Sequence, residues 1–141
     1  MEQVMPANTN PIFILIADNQ WPANMTAANT AKDGTGTVST IFTADATNGG
    51  YVNKVIVMPL GTNVATVVRI FMNNGSTNAT AANNTMIAQV TISATTNTET
   101  AALPAIEIPI NLTLAPGYKL NAVLGTAISA GVAVSAHGGK Y

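Results

Sequence analysis

An all-β fold, a single antiparallel β-sandwich of jelly-roll or Greek-key type with about eight strands, is predicted by three observations. Short Val, Ile and Thr runs recur along the whole chain, Gly, Asn and Pro bound them, and helical periodicity is almost absent. The 141 residues fit one domain, large enough to bury about two thirds of its unfolded surface.

Residues 1–30 read as an extended N-terminal arm, rich in Asn, Pro, Ala and Thr, with a strand near 12–17 where the apolar run Ile12 to Ala17 follows Pro11. Residues 31–141 read as the sandwich. Its strands follow in order. Thr37 to Ala44 comes after the breaker Gly34-Thr35-Gly36, Tyr51 to Met58 ends at Pro59, and Thr66 to Asn73 ends at Asn74-Gly75. Met86 to Ser93 alternates, with Met86, Ala88, Val90 and Ile92 on one face. In Ile106 to Leu112 the residues Ile106, Ile108, Ile110 and Leu112 point one way and Glu107, Pro109 and Asn111 the other, and Pro109 marks an edge strand or a bulge. Lys119 to Leu124 and Val132 to Ala136 close the set, with Val132, Val134 and Ala136 inward.

Two connections carry expectations of their own. Asn48-Gly49-Gly50 supplies positive-φ residues, which predicts a hairpin between Thr37 to Ala44 and Tyr51 to Met58. The polar stretch Asn73 to Thr85 is too long for a hairpin turn and is expected to cross between sheets or to form an exposed loop with a role.

Charge is scarce: 8% of residues are Asp, Glu, Lys or Arg, against about 25% in ordinary domains. A folded monomer of this mass exposes roughly 6,800 Å², so its skin must consist largely of Thr, Asn, Ser and Ala. A formal charge of −1 leaves no cationic stripe for nucleic acid, and net charge near zero favours association. Cysteine is absent, which excludes disulfides and thiolate metal sites. The start Met1-Glu2-Gln3-Val4-Met5 has no basic region of a signal peptide, and Leu120 to Gly139 is too polar for a membrane span. The N-x-S/T triplets at Asn24, Asn74, Asn78, Asn83 and Asn111 follow from a composition rich in Asn and Thr.

Catalytic chemistry finds little material, and no enzyme is expected. His137, the one histidine, lies opposite Val134 and Ala136, and orienting Ser135 or Ser129 would be an accident of the fold. Glu99 and Glu107 fall in different segments, Asp33-Gly34-Thr35-Gly36 lacks the acidic repetition of a calcium loop, and the glycines match no phosphate-binding motif. No cofactor and no metal site is expected. The candidate interface residues are Met5, Pro6, Phe13, Trp21 and Arg69. Phe13 and Trp21 read as anchors against a neighbour. Arg69 sits mid-strand between apolar residues, where its planar fork can pair across a subunit boundary. Trp21, Tyr51, Tyr118 and Tyr141 are the aromatics available to a sugar.

The run Gly50-Tyr51-Val52-Asn53-Lys54-Val55-Ile56-Val57-Met58-Pro59 through Asn73-Asn74-Gly75, and the tail from Leu114-Ala115-Pro116-Gly117-Tyr118 to Gly138-Gly139, resemble the small Thr/Asn/Ala-rich capsid decoration, or cement, proteins of tailed bacteriophages. The resemblance implies an antiparallel sandwich, often a homotrimer, that is made in the host cytoplasm and sits on the outer surface of the virion capsid. There it would brace the major capsid protein against internal DNA pressure. It brings no catalytic residue. The expectation is a structural virion protein with no nucleic-acid or membrane partner, clamping shell subunits through its arm. The alternative is a phage fibre, tail or lectin-like module whose Asn73 to Thr85 loop reads a cell-surface glycan.

Overall fold

A computed structural model describes residues 13–141. Eight strands run in chain order: β1 (Ile16–Ala17), β2 (Ser39–Thr43), β3 (Gly50–Pro59), β4 (Thr66–Asn73), β5 (Asn84–Ile92), β6 (Ile106–Leu114), β7 (Lys119–Leu124) and β8 (Val132–Lys140). A 3₁₀ turn, Ala81–Asn83, is the one helical element among the described residues. Sheet A has the order β1-β8-β3-β6 and sheet B the order β2-β7-β4-β5, with every pair of neighbours antiparallel. This is the all-β jelly roll that the strand pattern predicts.

Alternation builds the core. Val52, Val55 and Val57 of β3, Val132, Val134 and Ala136 of β8, Val68 and Ile70 of β4, and Leu120, Ala122 and Leu124 of β7 are all buried in one cluster with Ile41 and Phe42. Each such Val, Leu or Ile contributes roughly 1.5–3 kcal/mol by leaving water. The spacing Val52 to Val55 breaks period two because the register shifts between Val52 and Lys54 against both neighbours: Asn53 is the extra residue against β8, whereas against β6 the extra residue lies on β6, between Pro109 and Leu112. β6 is an edge strand, as Pro109 requires, and its inward Ile106, Ile108, Ile110 and Leu112 all reach the core.

The hairpin expectation is overturned, and of the two alternatives for Asn73 to Thr85 the crossing link is overturned while the exposed loop is found. β2 and β3 lie in different sheets, so Asp45 to Gly49 is a crossing link. Its tight turn exists: Asp45 accepts from the backbone of Thr47, Asn48 and Gly49, and Gly49 has φ 77°. A turn reverses the chain without choosing the sheet it enters. Conversely, β4 and β5 pair directly, Asn73 opposite Asn84, so the long polar stretch closes a hairpin. Its length is held by side chains: Asn74 binds Asn83, Asn83 Nδ2 donates to Thr77 O, and Asn84 Nδ2 donates to Asn78 O and Thr80 O. Another register shift in β5, between the partners of Ile70 and Phe71, sets Met86 opposite Phe71 on the outer face and brings Ile87 against the core in its place.

The division at residue 30 does not coincide with a structural boundary. Leu15, Asp18 and Gln20 donate to β8 carbonyls at Lys140, Gly138 and Ala136, and Met25 exchanges two 2.9 Å bonds with Val132. Asn29 then donates to Leu124 O of β7 at 2.7 Å, and Met25 is buried in the core cluster. Residues 15–29 thus dock on the chain's own sandwich, because β8 would otherwise present an open row of backbone donors and acceptors.

Candidate functional site

Residues i and i+2 of a strand share a face, and on the outer side of β8 this brings Ser135 Oγ and His137 Nε2 to 2.9 Å. The pairing judged accidental from the sequence is formed. Lys54 stands opposite His137 across β3, and its Nζ meets Glu107 Oε1 at 2.7 Å. The carboxylate is therefore engaged by lysine and does not orient the imidazole as an acid–base–nucleophile relay requires. Among the described residues no three His, Asp or Glu side chains converge on a point where a metal ion could be held.

A concavity opens near one end of sheet A. Phe13, Ile14, Tyr51, Thr113 and Tyr141 line a groove of about 580 Å³. Tyr51 Oη donates to Asn111 Oδ1 at 3.0 Å, and the hydroxyls of Thr113 and Tyr141 are 3.2 Å apart. Asn111 has φ 48°, a left-handed conformation that Asn tolerates better than most residues. The sequence shows the tyrosines but gives no sign of that backbone conformation.

The candidate interface residues do not form one cluster. Phe13 and Trp21 lie on the segment bordering β8, 75% and 73% exposed, with Leu15 at 65% and Ile16 at 53% beside them. Arg69 is on the outer face of sheet B, between Gln89 of β5 and Val123 of β7. Met5 and Pro6 lie outside the described residues. Tyr118 is half-buried and packs against the core.

Part of the outer face of sheet B, around Phe71, Asn121 and Val123, is covered by the chain itself. Phe71 is 1% exposed and Asn121 and Val123 are 2%, although none of them belongs to the inner core cluster. Asn29 Nδ2 donates to Thr35 O and Thr37 O, and Asn78 Nδ2 donates to Gly34 O and Gly36 O, which pins residues 29–37 to the β4–β5 loop. At Gly34, with φ 80°, a Cβ would stand 2.6 Å from Asn84 Cβ and 3.1 Å from Phe71 Cδ1, so only glycine fits over the ring. The amide nitrogens of Asn74, Asn78 and Asn83, three of the glycosylation triplets, are all spent as donors in this cover.

Two carboxylates brace turns. Asp33 titrates below the usual carboxylate range because the Thr35 hydroxyl and backbone N–H donate to it. Asp45 is lowered by the backbone N–H groups of Asn48 and Thr47, with a smaller contribution from Lys140.

Compared with known proteins, the chain matches no family model, no curated protein and no solved structure.

Proposed function

We propose that this chain is a structural virion protein, a capsid decoration or cement protein that binds the phage head and stabilises it through subunit interfaces. The observation that carries the reading is that the segment bordering β8 leaves four large apolar side chains, Phe13, Leu15, Ile16 and Trp21, in solvent on a charge-poor surface. Large apolar side chains left exposed along one segment point to a partner, and aromatic anchors dominate interface energy. Eight-stranded jelly rolls are used by viral capsid and lectin domains, which agrees with the resemblance of the β3–β4 and C-terminal runs to decoration proteins. The partners are the major capsid protein and further copies of the chain, with a homotrimer as the closed form.

Removing residues 1–30 is not a clean test, since it strips Met25 from the core and the partner row from β8. The paired substitution Phe13→Asp with Trp21→Asp leaves that docking intact. With an unchanged far-ultraviolet spectrum, it is expected to lower occupancy on purified particles by about tenfold or more, the equivalent of roughly 1.4 kcal/mol. Full occupancy by the double variant would refute the reading.

A second reading rests on the aromatic groove, where Tyr51, Tyr141 and Phe13 with the Asn111 amide match the stacking and hydrogen-bonding needs of a sugar ring. It moves the glycan site away from the Asn73 to Thr85 loop. Binding on a glycan array that disappears with Tyr141→Ala would select it.

A further inference from the structure

We propose that β5 is a pairing edge for β5 of a second copy of this chain, the two strands running antiparallel across a two-fold axis at Val90. The inference needs only this chain, so it stands apart from the shell contact proposed above. Gly125 N donates to Val67 O at 2.8 Å, so the polar backbone groups of Val67 face β7. In an antiparallel ladder such groups alternate from side to side along a strand. Thr91, opposite Val67, and Gln89, opposite Arg69, therefore turn their N–H and C=O away from β4, to the open border of sheet B. Among the described residues no backbone group outside β4 meets them.

The other borders are closed or guarded. Residues 15–25 run along β8, and β6 carries Glu107 and Pro109. β2 has five residues, of which Thr43 has its N–H and C=O held by the Gln20 amide at 2.8 and 3.0 Å. β5 is nine residues long, with no charge and no proline. Its open stretch has defined ends: the register shift at Ile87 and Ala88 bounds one, and at the other Ser93 O accepts from Asn63 Nδ2 at 2.9 Å. Ala88 to Ile92 is what remains, and Val90 is its centre.

That stretch is its own complement, which selects a second copy as the occupant. A half-turn at Val90 sets Gln89 against the partner's Thr91, and each such pair exchanges two backbone bonds. On the outer face an amide then meets a hydroxyl, both of them exposed in the single chain. On the inner face Val90 meets the partner's Val90 at a close, non-hydrogen-bonded position where β-branched side chains pack well, and the small Ala88 meets the large Ile92. This flank has apolar surface left to bury. β5 lies across from β6, and Ile87, Val90, Ile106, Ile110 and Leu112 stay half-buried there, whereas Ile41 and Phe42 of β2, on the opposite flank, are buried. With a formal charge of −1, a second copy meets little repulsion. The contact joins copies in pairs and leaves a three-fold closure to other faces.

The test takes the full chain through a concentration series by sedimentation velocity, with amide exchange followed residue by residue. A stoichiometry even in copies, a dimer or a pair of trimers, is expected. On association the Gln89 and Thr91 amides should exchange about tenfold more slowly or better, while Val90, already bonded to β4, changes little. Thr91→Pro removes an N–H that β4 does not use, and an edge strand tolerates it. It should weaken the pairing by about 30-fold or more and leave the urea midpoint close to wild type. A chain that stays monomeric at millimolar concentration, or stops at a trimer, overturns the inference. So does an even assembly that survives Thr91→Pro or leaves exchange at Gln89 and Thr91 unchanged. Where Thr91→Pro fails to fold, a mixture decides: chains with Gln89→Lys and Thr91→Lys should pair with chains carrying Gln89→Glu and Thr91→Glu, and neither with itself, because each charge then faces its opposite across the axis. A mixture that forms no such pair overturns the inference.

Discussion

Phe71 and Trp21 are both large aromatics outside the inner core, and the chain treats them in opposite ways. Over Phe71 it lays the Gly34 turn, clamped by Asn29 and Asn78, until the ring is sealed from solvent. At Trp21, on a segment equally well tied to β8, it leaves the ring in water, as it leaves Phe13, Leu15 and Ile16 earlier on the same segment. Their exposure is therefore not a shortage of loop or of anchoring. A sequence able to roof one apolar side chain with its own asparagines and glycines has left others open, and the proposed interface rests on that contrast.

The contrast is broken most severely from the covered side. Phe71→Ala should cost about 3–5 kcal/mol in urea unfolding, the behaviour of a core residue, whereas Trp21→Ala should move the same curve by no more than about 0.5 kcal/mol. Equal effects would erase the distinction between the two regions. A smaller effect is expected from Asn78→Ala, which removes the donor to Gly34 O and Gly36 O and leaves those carbonyls short of a partner, at a cost of about 1–3 kcal/mol. Hydrogen exchange should then speed up in residues 33–37 and leave the β3–β8 pairing unchanged.

The smallest effect comes from acid. Asp33 belongs to the cover and Asp45 to the β2–β3 link, and both titrate below their ordinary value of 3.8. A carboxylate with a depressed folded pKa contributes stability that is complete above its unfolded value and is lost as pH falls through the folded one. Stability should thus be level down to about pH 5 and decline below about pH 4, and Asp33→Asn should shrink the decline by lowering the plateau near neutrality. A decline centred near pH 6 would assign the acid response to other groups.

Strand positions were legible because they depend on alternation and breakers, both local: Thr66 to Asn73 and Lys119 to Leu124 match β4 and β7 end to end. The inward faces of β6 and β8 were legible for the same reason. Pairing was not. Asn48-Gly49-Gly50 announces a reversal, but the choice of sheet is made by where Phe42 and Val52 find their core neighbours, which no turn encodes. The β4–β5 loop looked too long for a hairpin because its closure comes from side-chain amides of Asn74, Asn83 and Asn84, which in a sequence read only as polarity. Of the candidate interface residues, Phe13 and Trp21 are exposed, while the isolation of Arg69 on the other sheet depends on topology that alternation cannot supply.

Residues 15–25 closing over β8 also decide how sheet A can grow. With that border occupied by the chain's own backbone and the opposite border interrupted by Pro109, which has no N–H to offer, neither side presents an unbroken template for another molecule. A polypeptide with so little charge repulsion would otherwise be exposed to runaway fibre formation. Closing both margins of this sheet leaves β2 and β5, the borders of sheet B, as the edge strands still free to template another chain.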